Sequence, residues 1–215
     1  MKEYSYQEQN NIEKGESLTM NKVMTKKEKV LTFKDELKWI RNKEIQKFVV
    51  NIISELPDYF FVVPASSTGK YHPSYSLGEG GLVRHTKSAV LIAKTLLDLE
   101  QYKDKYSEEE RDIMLTALLL HDGVKHGLNG SKYTIATHPL EMVDFIYSKY
   151  NNRLPYCVGM ICDCIATHMG EFNKDWKTQE EILDKPKTDM QKFVHMCDYL
   201  ASRRFLEVNF EKVEY

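Results

Sequence analysis

His85, His121, Asp122, His138, His168 and Asp198 are the side chains of this sequence whose types and settings could do chemistry together. All belong to apolar, helix-patterned stretches or to their ends. His121-Asp122 closes the run Leu118-Leu119-Leu120, and Asp198 sits among Phe193, Val194, Cys197, Leu200 and Ala201. A carboxylate taken into an apolar interior is costly unless it is paired or bound to a metal. Each histidine alone has an ordinary explanation; His138 could simply begin a helix. Taken together, imidazole and carboxylate suit a borderline-hard divalent ion such as Mn, Fe, Co, Ni or Zn, with Mg also admitted. No cysteine falls in the set, which argues against a structural zinc site. Cys157, Cys162, Cys164 and Cys197 form no CxxC pair and read as reduced, buried thiols.

The elements that must position these residues read as helices. From Thr32 a helical pattern carries Leu37, Trp39, Ile40, Ile45, Phe48, Val49, Ile52 and Ile53 up to Pro57. Tyr59–Val63 reads as a brief strand or extended segment on the core. Gly80-Gly81 opens a helix to about Leu99 with a broad apolar face and His85 in its first turn. Ser107 and Glu110 make a capping box for the next helix, which is apolar nearly all round and ends at His121-Asp122-Gly123, where the glycine fits a helix C-cap. Thr137-His138-Pro139 starts another helix, with proline in a first-turn position. Pro155 opens one that ends at Thr167-His168-Met169-Gly170, and Thr188 with Gln191 caps the last. Strand signals are nearly absent. The expected fold is an all-α bundle of about six or seven helices, with little or no strand, over 31–215. Residues 1–30, rich in Glu, Lys, Asn and Gln, are expected to form a polar tail, disordered or partly helical.

The 215 residues suffice for one sizeable domain, and the formal charge of −2 suggests neither a DNA coat nor an anionic membrane as partner. No apolar run is long enough for a membrane span, and the polar N-terminus lacks a signal-peptide core, so a cytoplasmic location is expected. The loop 64–81 contains Ser-Thr-Gly-Lys, but Tyr71 follows Lys70 where a P-loop needs Ser or Thr. Its Lys70 and His72, with Arg84 just beyond, are candidates for lining a substrate pocket. His126 and His195 read as local hydrogen-bonding groups. Arg203 and Arg204 are weaker candidates for phosphate contacts and carry no assignment, since arginine on a terminal helix is usually surface or a dipole complement.

The order His…His-Asp…His…His…Asp resembles the HD-domain superfamily of metal-dependent phosphohydrolases. The motifs are Gly-Gly-Leu-Val-Arg-His85-Thr, Leu-Leu-His121-Asp122-Gly-Val-Lys125, Thr-His138-Pro, Ala-Thr-His168-Met-Gly and His-Met-Cys-Asp198-Tyr-Leu-Ala-Ser, covering about 80 to 205. The flanks look closest to HD domains of bacterial and phage nucleases and nucleotide hydrolases. The resemblance implies that His85, His121, Asp122 and Asp198 bind a first metal, and that Asp122 bridges to a second held by His138 and His168. Where two-metal members often carry another histidine, this chain has Met169. Lys125 matches the lysine of the family's His-Asp-x-x-Lys motif and would stabilise negative charge on a phosphate.

The expected function is therefore a metal-dependent phosphomonoesterase or phosphodiesterase, with one or two divalent ions (Mn, Fe, Ni, Co, Mg or Zn), in which Asp122 and Lys125 are catalytic. Near-neutral charge and the lack of an aromatic-basic motif favour a nucleotide or short oligonucleotide over a long nucleic acid. Two other readings keep the fold: an HD-fold di-iron oxygenase using the same ligands, and a non-catalytic nucleotide sensor.

Overall fold

The computed structural model describes residues 23–66, 69–149 and 155–206. Among these it is all-helical, with an isolated bridge between Lys174 and Glu181 as the lone extended pairing. Eight α-helices follow in chain order. They are α1 (Lys26–Thr32), α2 (Lys43–Glu55), α3 (Gly81–Leu97), α4 (Glu100–Lys103), α5 (Glu108–Leu120), α6 (His138–Lys149), α7 (Val158–Ala166) and α8 (Asp189–Ala201). The excess over the expected six or seven comes from the short α1 and α4.

Helix α5 is the axis of the fold. Ile113 through Leu120 are all buried, and the helix packs against α2, α3, α7 and α8. Each fully buried Leu, Ile or Phe contributes about 1.5–3 kcal/mol, so α5 is anchored on every side. Its start is fixed by the capping box in which Ser107 Oγ accepts from Glu110 N while Glu110 accepts from Ser107 N. Helix α8 starts on the equivalent box of Thr188 and Gln191, and lies against α3, α5 and α7.

Several local expectations need correction. The expected tail is not among them: its residues 1–22 lie outside the described residues, and helix begins at Lys26, which a partly helical tail admits. There Thr25 caps it, and Lys29 Nζ donates to Leu56 O and pairs with Asp58, which ties α1 to the domain. Of the single helix expected from Thr32 to Pro57, only Lys43–Glu55 beyond Thr32 itself is α-helical; Glu36–Trp39 is a 3₁₀ turn, and the chain breaks at Ile40–Asn42 before α2. The buried Asp112 carboxylate on α5 accepts from Arg41 N and Asn42 N, while Asn42 caps α2. Tyr59–Val63 is no strand: Asp58–Phe61 forms a 3₁₀ turn whose Tyr59, Phe60 and Phe61 are buried. Gly123 is not a left-handed C-cap; a Cβ there would come within 2.7 Å of Leu56 Cδ2 and 2.8 Å of Met142 Sδ. The glycine admits neighbouring helices close to the chain as it leaves α5.

Candidate metal centre

Five elements deliver the candidate residues to one point. His85 projects from the start of the second turn of α3, His121 and Asp122 follow the last turn of α5, His138 begins α6, His168 follows α7, and Asp198 lies on α8. The histidines and Asp122 are buried, and Asp198 is nearly so.

Three of the imidazoles are aimed by the same device. His121 Nδ1 donates to Leu118 O, His138 Nδ1 to Ile135 O and His168 Nδ1 to Ile165 O, each at 2.7 Å and each three residues back. A carbonyl can only accept, so Nδ1 carries the proton and Nε2 presents its lone pair to the centre. His85 differs, because its buried Nδ1 has no partner among the described residues.

The inward atoms form two groups that share one carboxylate. Asp122 Oδ2 lies 3.3 Å from His121 Nε2 and 3.6 Å from His85 Nε2. Asp198 Oδ1 joins these at 2.9 Å from His85 Nε2 and 3.4 Å from His121 Nε2. Asp122 Oδ1 faces the other way, 3.0 Å from His138 Nε2 and 3.8 Å from His168 Nε2. Nε2 atoms also face each other, at 3.4 Å for His85 and His121 and 3.3 Å for His138 and His168. Two lone-pair nitrogens at that separation repel unless a proton or a cation lies between them. Donors held ~2.0–2.2 Å from one ion stand roughly 3 to 3.5 Å apart, so the spacing fits. His121, His168 and Asp198 form a third, overlapping group of adequate closeness.

The electrostatics favour positive charge at the same point. Burial alone would raise the carboxyl groups, yet Lys125 and His121 hold Asp122, and His121 and His85 hold Asp198, well below the usual range. Burial pushes the His121 imidazole down, but the facing Asp122 and Asp198 carboxylates carry it up to about 10. His168 is pushed down to about 3 by burial and by His121 and His138. A proton is thus favoured in front of His121 and refused by His168. The buried nitrogen and oxygen donors of this set can hold a metal ion.

Lys125 Nζ lies 2.6 Å from Asp122 Oδ2. It also lines a cavity of about 520 Å³ that opens on His85 and Asp198 and is walled by Tyr71, His72, Met169, Phe172, His195, Tyr199, Ser202 and Arg203. A larger hollow of about 720 Å³, lined by Arg41, Lys94 and Arg111 among others, lies away from these residues; its Arg111 is spent on the carbonyls of Leu97, Tyr102, Lys103 and Tyr106.

Of the pocket candidates, His72 is in the cavity wall, beside His85 with ring centroids 5.6 Å apart. Burial, with Lys125 and His85 nearby, pushes it down to about 4. Lys70 lies outside the wall, its ammonium over the Tyr71 ring, and Arg84 donates to the carbonyls of Tyr75 and Leu77, where it braces the loop against α3. His126 stacks on Tyr59. His195 Nδ1 donates to His168 O, and so steadies the turn that presents His168. Sequence reasoning left Arg203 unassigned and did not single out Phe172 or Tyr199. Tyr199 follows Asp198 and Arg203 comes one helical turn later, whereas Phe172 belongs to the connection after α7. Trp176, in the connection after α7, is exposed and outside the wall.

Comparison with protein-family models, with curated proteins and with solved structures finds no match. The functional reading therefore rests on the residues.

Proposed function

We propose that this chain is a metal-dependent phosphohydrolase, cleaving a phosphomonoester or phosphodiester of a nucleotide or short oligonucleotide. The observation that carries the reading is the division of Asp122. One oxygen faces His85 and His121, the other His138 and His168. His85, His121, Asp122 and Asp198 would hold one divalent ion, and Asp122, His138 and His168 a second, drawn from Mn, Fe, Ni, Co, Mg and Zn. Ions bound there would lower the pKa of a water and neutralise phosphoryl oxygens.

The remaining work falls to the protein's own groups. Asp122 stays anionic because Lys125 and His121 face it. The Lys125 ammonium, in the cavity wall beside Asp122, sits where it can meet negative charge growing on a phosphoryl oxygen. The i−3 hydrogen bonds fix the orientation of three imidazoles, with Nε2 turned to the centre, before any ligand arrives. Met169 brings a thioether to the cavity wall and so shapes the pocket. A di-iron oxygenase would use the same donors, but the cations Lys125 and Arg203 in the wall favour an anionic phosphate ester.

The test is metal analysis of the purified chain, joined to phosphate release from nucleotides, cyclic nucleotides and short oligonucleotides with Mn, Mg, Ni and Co. Turnover is expected with at least one metal. Asp122→Ala should lose both metal and turnover while its helical circular dichroism persists; full activity in that variant would refute the site. Dioxygen consumption without phosphate release would favour the oxygenase.

A further inference from the structure

One cation in the cavity has been given no contact of its own to the substrate. Arg203 lies just beyond α8, with its guanidinium carbon 4.0 Å from the Tyr199 ring centroid and 5.2 Å from that of Phe172. The two rings are nearly parallel, 14° apart, with centroids separated by 6.3 Å. Arg203 Nε donates to Ser202 Oγ at 3.1 Å and to Tyr199 O at 3.3 Å. These contacts set the plane of the guanidinium and use only its inner nitrogen. Among the described residues, no hydrogen-bond acceptor or carboxylate engages the two terminal nitrogens. A guanidinium already held flat loses little freedom when it grips an anion with both arms.

The same cavity is walled by His85, Asp198 and Lys125. An anion on Arg203 and a phosphoryl group at the metal centre would therefore belong to one ligand. Its volume of about 520 Å³ far exceeds a lone phosphoryl group and suits a small organic molecule. Tyr71 and Phe172 add exposed ring surface to the wall, suited to a flat apolar group.

We infer that Arg203 is a specificity-determining residue that binds a second anionic group of the substrate, remote from the phosphoryl group being cleaved. Nucleoside bisphosphates and dinucleotides that carry a terminal phosphate besides the phosphodiester are ligands of that class; nucleoside monophosphates are not. The inference rests on the phosphohydrolase reading.

Its test uses the full chain loaded with Mn and three probes: adenosine 5′-monophosphate, adenosine 3′-monophosphate and adenosine 3′,5′-bisphosphate. The wild type should hydrolyse the bisphosphate with a KM at least about tenfold below that of either monophosphate, since a charge-assisted hydrogen-bond pair is of that strength. Arg203→Ala should raise the bisphosphate KM to the level of the monophosphates, and Arg203→Lys should restore part of the difference. Arg203→Gln replaces the alanine variant should the latter fail to fold by circular dichroism. Absence of any preference in the wild type, or a preference that survives loss of Arg203, would overturn the inference. If no probe is hydrolysed, the phosphohydrolase reading fails for these esters, and calorimetric binding of the same probes decides on Arg203 separately. Tighter binding of the bisphosphate, abolished by Arg203→Ala, supports it; equal affinity or no binding overturns it.

Discussion

Asp122 can serve two sites at once because it leaves α5 at the point where α3, α6, α7 and α8 all contribute a side chain. Lys125 touches the same carboxylate but is no metal donor, so its loss should separate binding from rate. Lys125→Met is expected to lower kcat by about 10²–10³-fold with unchanged metal content, measured by steady-state kinetics beside elemental analysis. His138→Ala and His168→Ala each should lose one ion while the group around His85 and Asp198 keeps its own. The donors were legible in the sequence because polar, titratable residues interrupt apolar helices, and burial of such residues demands a partner. Arg203 was legible as a charge, but its place in the cavity was not. Its cation–π contacts with Tyr199 and Phe172 join a helix end to the connection after α7, and only folding brings them together. Lys70 and Arg84 show the converse, since their charges suggested a pocket while the fold directs Arg84 to loop carbonyls.

At the scale of elements, glycines set how closely the loops seat the candidate donors. Gly81 opens α3 with its Cα against the loop, and a Cβ there would run into the Ser76 carbonyl and approach Pro64. Overpacking against backbone costs about 1–3 kcal/mol, so Gly81→Ala should lower the urea midpoint accordingly and disturb the loop that carries His72. Gly170 adopts φ +57°, and a Cβ on it would strike the His195 ring that donates to His168 O. Gly170→Ala is expected to destabilise the chain and weaken metal binding together; a stability loss with metal affinity intact would show that His195 does not steady His168. The capping boxes of α5 and α8 and most helix starts were readable from local sequence, because a cap is a contact three residues long. The break at Ile40–Asn42 was not, since it depends on Asp112, which lies 70 residues away from Asn42.

For the whole molecule, stability should track metal and pH. At a free ion concentration of 100 Kd, binding to the folded chain alone adds about 2.7 kcal/mol, so Mn should raise the Tm and a chelator should reverse the rise. In the metal-free chain, burial pushes His72 down to about 4 and His168 to about 3, and lowers His126 as well. Unfolding returns them to 6.5. As pH falls below that value the unfolded chain takes up protons that the folded chain refuses, and stability is lost. His121 runs the other way: its net rise to about 10 adds stability that is full below 6.5 and disappears as pH climbs through about 10. The urea midpoint of the chelated chain should therefore peak near neutrality, at about pH 6.5–7, and fall on both sides; a midpoint that keeps rising below pH 6 would contradict these assignments. The all-α architecture followed directly from helical periodicity, whereas the convergence of five elements on Asp122 depends on how α5 is surrounded.

The central claim is a pair of ion sites sharing one carboxylate. It is tested most directly by elemental analysis of the Mn-reconstituted chain beside Asp122→Ala. Two ions per wild-type chain and none in the variant is the predicted result. A wild type that retains fewer than two ions, or an Asp122→Ala chain that retains any, would contradict it.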